Sequence, residues 1–231
     1  EKGFPGILVE TIAIFINNLA APANTKVFSL THRLHLTQPQ AYIFDPELPY
    51  WIIYRNQLFD SVCRKLDFDV FEVFRDRQLT NKLLSSSGEL RVLKSRNLSD
   101  DGKAILDIPG YDSYISYAAA KPLSVFQYLD APNVYLTPNM TYKPRMMKKP
   151  PHCVVNGSLA ILIPKGGIVP TEKQLAYFSS EEYRAFYQIA RNFQTRSLNV
   201  DACSVFFYGL LRDEAKPAPE KFDASVQLSF F

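Results

Sequence analysis

The 231-residue sequence has few of the residues that build disulfide frameworks or metal sites. Its three cysteines, Cys63, Cys153 and Cys203, lie far apart, and none belongs to a CxxC pair. Three widely separated cysteines, an odd number, argue against a disulfide framework and against a structural zinc site. The apolar run from Ile7 to Ile16 is shorter than the roughly 20 residues that span a bilayer. We therefore expect a cytoplasmic protein with no membrane partner.

Glycine is also scarce, at nine residues, and the glycine-rich motifs of nucleotide-binding proteins are absent from the sequence. It contains neither GxGxxG nor GxxxxGK[ST], and it lacks the GxSxG of serine hydrolases. His32 and His35 are spaced so that they could share a metal, but no Asp, Glu or Cys accompanies them closely, so we expect no metal site. On its residues alone, the chain is predicted to bind a partner rather than to catalyse a reaction.

One acidic stretch favours an enzyme instead. Its carboxylates could hold a divalent cation, as those of nucleases do. They are spread over a predicted helix and a strand with alternating faces, which argues against their convergence; they are Asp60, Asp67, Asp69, Glu72 and Asp76. A Mg-dependent restriction-type nuclease that uses Asp60, Asp67, Asp69 and Glu72 therefore stays an alternative hypothesis.

The remaining composition is that of a globular protein, with 47% hydrophobic and 21% charged residues. Short apolar runs rich in β-branched and aromatic residues predict strands within 6–16, 26–32, 41–44, 69–74, 89–93, 133–137, 152–156 and 158–164. In 69–74, Val70, Glu72 and Phe74 are expected on one face, with Phe71 and Val73 on the other. Without strict alternation of strands and helices, the pattern predicts an α+β fold with a mixed, largely antiparallel sheet and a few helices.

Helices are predicted where capping residues precede an apolar face. Asn56 is the expected N-cap of one helix. Thr171 with Gln174, and Ser179 with Glu182, form capping-box patterns before two more. In the last helix an apolar face is predicted for Tyr183, Phe186, Tyr187, Ala190 and Phe193. Residues 203–211 read as a strand or a buried helix, and residues 215–220 as an exit linker.

Positive charge is concentrated in one part of the chain. Residues 135–199 carry nine Lys or Arg and three acids, a net charge of +6, although the whole chain carries only +3. Basic segments that interleave Arg or Lys with Asn, Gln, Ser and Thr occur at 75–81, 94–97, 135–151 and 191–199. Such segments suit a polyanion. Composition does not separate DNA from RNA, so an RNA-binding or protein-interaction domain is a further alternative.

Several segments resemble the C-terminal part of adenine-specific DNA methyltransferases, especially those of type IIS restriction–modification systems. The resemblance extends from Gly3 to about Leu211 and is carried by GFPGILVETIAIFIN, LTHRLHLTQPQAYIFDPELPYWIIYRN, FEVFRDRQLTN, RVLKSRNLSDDG, YLTPNMTYKPR, VVNGSLAILIPK and YFSSEEYRAFYQIARNFQTRSLNVDACSVFFYG. RDRQLTN followed by RVLKSRN is also similar to the start of the target-recognition domains in type I specificity subunits.

The resemblance implies a division of the chain. Residues 1–55 would be the trailing strands of the catalytic domain, residues 56–214 the DNA target-recognition domain and residues 215–231 a C-terminal tail. The glycine motif that binds S-adenosylmethionine and the Asn-Pro-Pro-Tyr/Phe tetrapeptide are both missing, so we expect no methyl transfer and no cofactor from this chain alone. S-adenosylmethionine is implied for the parent enzyme. The sequence begins with Glu1 rather than Met, as expected for a piece of a longer protein.

Residue type and motif position together nominate DNA contacts. Arg, Gln and Asn can pair with base edges, whereas Lys, Ser and Thr usually serve phosphates. The expected base contacts are Arg75, Arg77, Gln78, Arg96, Asn97, Asn139, Tyr142, Lys143 and Arg145. The expected phosphate contacts are Lys94, Lys148, Lys149, Arg191, Thr195, Arg196 and Ser197. Within 135–151, prolines predict a stiff loop that leaves a strand and presents residues 139–145 to DNA.

Overall fold

The computed structural model describes residues 13, 15, 24–29, 32–194 and 198–213. The strand predicted in 6–16 lies outside them apart from Ala13 and Phe15, and so does the linker predicted at 215–220. The strands are β1 (Asn24–Ser29), β2 (Leu34–Pro39), β3 (Leu66–Asp67), β4 (Phe71–Phe74), β5 (Leu90–Leu93), β6 (Ser113–Ile115), β7 (Tyr135–Pro138), β8 (Met147–Lys148), β9 (Cys153–Val155), β10 (Leu159–Pro164) and β11 (Leu210–Leu211). The helices are α1 (Gln40–Ile43), α2 (Gln57–Cys63), α3 (Tyr117–Ala120), α4 (Glu172–Tyr177) and α5 (Glu181–Ala190).

The strands form mostly antiparallel sheets. A central sheet has the order β4-β10-β7-β8, and a second sheet has the order β6-β5-β9, in which β5 and β9 run parallel. Two antiparallel pairs, β1 with β2 and β3 with β11, complete the described strands. The α+β class predicted from the sequence is confirmed.

The central sheet separates two hydrophobic clusters because side chains alternate along its strands. On β10, Leu162 enters one cluster and Ile161 the other. The first cluster is completed by helices α2 and α5, where Phe59 stacks on Phe186 with ring centroids 5.1 Å apart. The second lies between the central sheet and the β6-β5-β9 sheet and contains Val92. Within β4, Phe71 and Val73 contact the first cluster and Phe74 contacts the second, as predicted. Val70 precedes the strand and also contacts the first cluster, which departs from the predicted alternation.

Helix capping follows the sequence with one shift. Asn56 Oδ1 accepts the backbone N–H of Phe59 at 3.0 Å, and Thr171 with Gln174 forms the predicted capping box at α4. At α5 the predicted cap is wrong by one residue. The Ser180 hydroxyl caps the helix, whereas the Ser179 hydroxyl donates to the backbone of Asp101.

Two short segments also differ from the prediction. Residues 41–44, expected to be a strand, fall largely in α1, which places Ile43 against Val27 and Leu36. So short an apolar run carries no usable period, so the pattern could not separate helix from strand. Residues 203–211 combine a 3-10 turn at Ser204–Phe207 with the two-residue strand β11.

The boundary predicted after residue 55 falls inside a packed region. The Tyr50 hydroxyl donates to the backbone carbonyl of Ala190 at 2.8 Å. Asn192 accepts from the backbone of Ile53 at 2.8 Å and donates to that of Trp51 at 2.9 Å. Residues 50–54 are therefore fixed to the C-terminal end of α5. Within the described ranges, no helix is both long and apolar enough to cross a membrane.

Candidate nucleic-acid interface

The turn at Asn156, Gly157 and Ser158, between β9 and β10, joins the loops that carry the predicted contacts. Its own shape is set by Asn156 Oδ1, which accepts the Ser158 hydroxyl at 2.6 Å. The Ser158 hydroxyl oxygen accepts the backbone N–H of Ser95 at 2.9 Å, and the Ser158 carbonyl accepts that of Asn139 at 3.0 Å. One turn therefore fixes both the loop after β5 and the loop after β7.

Gly157 brings a third loop to the same place. A Cβ built on Gly157 would lie 2.7 Å from the backbone oxygen of Asp76, so only glycine permits this approach. Asp76 is buried, and its carboxylate accepts the backbone N–H groups of Gln78 at 3.3 Å and Leu79 at 2.8 Å. This Asx-type turn directly follows β4 and carries the exposed Arg77.

These loops surround a pocket of about 250 Å³, which we call the arginine pocket. It lies at the edge of the central sheet where β4 and β7 end and β10 begins. Its lining is entirely polar or glycine and consists of Arg75, Asp76, Arg77, Asn139, Gly157 and Asn199.

Hydrogen bonds fix the amide side of the arginine pocket. Asn139 Nδ2 donates to the Gly157 carbonyl at 3.0 Å and to Asn199 Oδ1 at 2.6 Å. Asn139 Oδ1 accepts the backbone N–H of Val200 at 2.9 Å. Asn139 is thus largely used within the fold, although it still lines the pocket.

The arginines of the pocket have free hydrogen-bonding capacity. Arg77 is exposed and Arg75 half-buried, and within the described ranges neither forms a salt bridge or a side-chain hydrogen bond. The positive charge of Arg75 extends to Asp201. Burial raises the pKa of Asp201, but hydrogen bonds from Ser204 and the charges of Arg191 and Arg75 outweigh it and lower this pKa overall. The arginine pocket can therefore receive an acceptor or anionic group.

Besides the buried Asn139, two further predicted base contacts require correction because their side chains are buried and form internal hydrogen bonds. Asn97 is fully buried and donates to Leu106 O at 3.0 Å and to Asp112 Oδ1 at 2.6 Å. Arg145 is buried and donates to the carbonyls of Ser95, Leu98 and Lys143. Burial lowers the pKa of Arg145, and no carboxylate of the described residues forms an ion pair with it. Both residues shape loops and do not face solvent.

Two of the predicted phosphate contacts are buried as well. Lys149 Nζ donates to the carbonyls of Leu129 at 2.7 Å and Pro150 at 3.0 Å, and burial lowers its pKa. Arg191 donates to the carbonyls of Leu198 at 3.0 Å and Asn199 at 2.9 Å. The structure thus gives Arg191 the role of holding the 198–199 segment, which borders the arginine pocket.

Other predicted contacts are accessible but partly engaged. Lys94 Nζ donates to the Tyr111 carbonyl and to the Ser113 hydroxyl, and burial lowers its pKa. Arg96 is exposed and lies over the Tyr111 ring, 4.7 Å from its centroid. Within the described residues the Arg96 guanidinium has no ion pair and no hydrogen bond, so Arg96 remains a surface candidate.

Further candidates are placed at the surface. Gln78 is exposed, and its side chain accepts the backbone N–H of Ser124 at 2.7 Å. Lys143 forms a salt bridge with Asp100, and Tyr142 and Lys148 are exposed. Three predicted phosphate contacts, Thr195, Arg196 and Ser197, lie outside the described residues.

The acidic residues of the nuclease hypothesis do not converge. Asp60 pairs with Arg55 at 2.8 Å, Asp67 with Arg212 at 2.8 Å and Asp69 with Lys165 at 2.6 Å. Each of these three carboxylates is therefore paired with a different cation, and the fourth residue of the hypothesis, Glu72, is exposed on β4. In the part of the chain that the structure describes, no three His, Cys, Asp or Glu residues are grouped to hold a metal.

His32 and His35, the two histidines considered as metal ligands, pack against aromatic rings. His35 stacks on Phe28 with centroids 4.2 Å apart, and His32 lies 4.1 Å from the Phe193 ring. Each histidine thus contacts a different aromatic partner, and the geometry gives no support to a shared metal between them.

Sequence reasoning missed three residues of the arginine pocket. Asp76 was assigned to an acidic group, Gly157 to no role, and Asn199 only to a basic segment. An Asp that directly follows a strand often accepts the backbone N–H groups two and three residues later, which forms an Asx turn. This local pattern could have identified Asp76 as a turn residue. The close approach of Gly157 and the pairing of Asn199 with Asn139 depend on tertiary contacts and left no local signal.

No protein-family model matches this chain, and no curated protein matches it significantly. The similarity to methyltransferases therefore stays a prediction, carried by the sequence segments given above. The fold and the arginine pocket are the independent structural grounds on which a function can be proposed.

Proposed function

We propose that this chain recognises specific sites on duplex DNA as the target-recognition part of an N6-adenine DNA methyltransferase of a restriction–modification system. The catalytic domain and the S-adenosylmethionine site would lie outside the chain. Duplex DNA and that catalytic domain are the proposed partners, and a cytoplasmic location is the one that the role requires.

The observation that carries the proposal is the pair Arg75 and Arg77 in the arginine pocket. Arginine presents a planar fork of donors that matches the O6 and N7 acceptors of guanine, and it also pairs with phosphate oxygens. Because neither arginine is neutralised by a salt bridge in the described ranges, both are available to a ligand.

The packing of the turn that carries Arg77 favours specific recognition over non-specific electrostatic attraction. Asp76 fixes the turn that carries Arg77, and Gly157 lets this turn pack against the β9–β10 turn. A side chain held on a rigid turn loses little entropy on binding. Arg96 lies on the loop fixed by Ser158, so a second exposed arginine is held relative to the same β9–β10 turn.

A nuclease is less well supported because Asp60, Asp67 and Asp69 each pair with a different cation. The RNA-binding alternative uses the same exposed cations, so competition between nucleic acids must separate it from the proposal. Sequence-specific RNA recognition targets single strands and loops, whereas the proposed role requires a duplex.

Selection of bound duplexes from a random DNA pool tests the proposal. We expect one enriched motif, no cleavage with Mg²⁺, and binding that weakens steeply as salt rises. An excess of unrelated RNA should not compete with the selected duplex. A pool that yields no motif, or an RNA that outcompetes the selected duplex, would overturn the proposal.

A further inference from the structure

Two large apolar side chains are exposed on the polar rim beside the arginine pocket. Met140 is 50% exposed and directly follows Asn139, and Leu198 is 47% exposed and directly precedes Asn199. Because Asn139 Nδ2 donates to Asn199 Oδ1 at 2.6 Å, the two loops meet at this point. We call Met140 and Leu198 the apolar pair.

The backbone beside each member of the apolar pair is fixed. The Asn139 carbonyl accepts the backbone N–H of Val200 at 3.2 Å, and its own N–H donates to Ser158. The carbonyl of Leu198 accepts from the buried guanidinium of Arg191 at 3.0 Å. The two side chains therefore project from held positions, so that inserting them into a partner costs little ordering of the backbone.

The charge around the apolar pair identifies the kind of partner. Arg75 and Arg77 line the same pocket as Asn139 and Asn199. Neither arginine has an ion-pair partner in the described ranges. An apolar protein surface does not account for these unpaired cations. Apolar side chains next to arginines are the combination that DNA-bending proteins insert between base pairs.

We propose that Met140 and Leu198 insert into the base stack of duplex DNA and unstack one step next to the site read by the arginine pocket. This inference rests on the DNA recognition proposed above. The hydrogen bonds and ion pairs that the bent duplex forms with Arg75 and Arg77 offset the cost of unstacking. The apolar pair then contributes to specificity, because flexible pyrimidine–purine steps unstack more easily than stiff ones.

The test uses the selected duplex with 2-aminopurine placed in turn at each position. The fluorescence of 2-aminopurine rises when it is unstacked, so the wild-type chain should produce a rise at one step. The variant Met140→Ala with Leu198→Ala should abolish this rise, and Met140→Leu should retain it. Val169→Ala is the matched control, since Val169 is 68% exposed and lies beyond the opposite end of β10.

A mismatch at the same step separates insertion from a structural effect. A mismatched step is already partly unstacked, so inserting the apolar pair there requires less unstacking free energy. The double variant should bind the intact duplex about tenfold more weakly than wild type, a difference of about 1.4 kcal/mol, and the mismatched duplex with nearly wild-type affinity.

Equal weakening on both duplexes, or a wild-type complex with no fluorescence rise at any position, overturns the insertion and leaves DNA recognition standing. A chain that binds no duplex in the selection overturns both. Thermal unfolding of each variant checks that the fold is kept, as expected for half-exposed side chains.

Discussion

Asn139 and Asn199 join two loops that are 60 residues apart in sequence, through a hydrogen bond of 2.6 Å from Nδ2 to Oδ1. The same Asn139 side chain also serves the backbone of Gly157 and Val200. A single amide thus connects the β9–β10 turn, the loop after β7 and the segment after α5. The shape of the arginine pocket depends on this connection.

Replacement of Asn139 by Ala should destabilise the protein. The change leaves the Gly157 carbonyl and Asn199 Oδ1 without their donor, and the Val200 N–H keeps only its 3.2 Å bond to the Asn139 carbonyl. We therefore expect the free energy of unfolding to fall by about 1–3 kcal/mol. Urea denaturation measures this fall. Asn81→Ala is the control, because Asn81 is exposed and should change the same quantity by less than about 0.5 kcal/mol. An equal effect of the two substitutions would contradict the role of Asn139.

Replacement of Gly157 by Ala should disturb the arginine pocket without removing any charge. The new Cβ would lie 2.7 Å from the Asp76 backbone oxygen, so the turn that carries Arg77 must move. We expect a loss of about 1–3 kcal/mol in unfolding free energy, as for other overpacked sites. Affinity for the selected duplex should also fall in an electrophoretic shift assay. Unchanged DNA binding would show that this turn takes no part in recognition.

The substitution Arg145→Lys tests whether Arg145 is internal, as its burial indicates, or a DNA contact, as the sequence predicted. One ammonium group cannot reproduce the planar fork that reaches the carbonyls of Ser95, Leu98 and Lys143. We expect a loss of about 1–3 kcal/mol in unfolding free energy, measured by urea denaturation.

Arg77→Lys is the control for Arg145→Lys, because Arg77 is exposed. Its effect on stability should be within about 0.5 kcal/mol. If Arg145→Lys instead keeps the denaturation midpoint of wild type and weakens DNA binding, the internal assignment is wrong and Arg145 contacts the ligand.

Acid should destabilise the protein in part through Glu182. A hydrogen bond from Lys65 lowers the pKa of Glu182 below its usual 4.5; burial opposes this shift and the Tyr177 hydroxyl adds to it. A carboxyl with a lowered pKa binds protons more readily in the unfolded chain. Its stabilising effect is therefore present above about pH 4.5 and is lost as pH falls through the lower, folded-state pKa.

Glu182→Gln should flatten this pH dependence. The variant should be less stable than wild type at pH 7, and the difference should shrink as pH falls below about 4.5, as measured by urea denaturation across the range. Glu181→Gln is the control, since the side chain of Glu181 is 88% exposed and lies 3.5 Å from Arg184. A difference between Glu182→Gln and wild type that does not vary with pH would contradict the assignment.

Local signals predicted much of the fold. Asn56 and Thr171 marked helix starts because their side chains cap backbone donors within three residues, and the 158–164 run marked β10 because it is long and apolar. Residues 41–44 were misassigned because four apolar residues fit a helix as well as a strand.

The candidate site was less predictable than the fold. Arg145 and Lys149 are of residue types that commonly contact DNA, yet their N–H groups donate to backbone carbonyls. Residue type alone does not show whether a side chain is buried. Arg75 and Arg77 were nominated by the sequence and lie at the surface pocket. Asn199 was missed as a site residue because its partner is distant in sequence.

The central claim is that Arg75 and Arg77 read duplex DNA. Its most direct test is the binding affinity of wild type and of the variant Arg75→Ala with Arg77→Ala for the selected duplex and for its single-base-pair substitutions. Lys121→Ala with Lys173→Ala serves as the control, because both lysines are exposed and neither lines the arginine pocket.

We predict that the arginine variant loses about 1–3 kcal/mol per base contact on the selected duplex and discriminates less between it and the substituted duplexes. The lysine control should keep the wild-type preference. Wild-type affinity and preference in the arginine variant would contradict the claim.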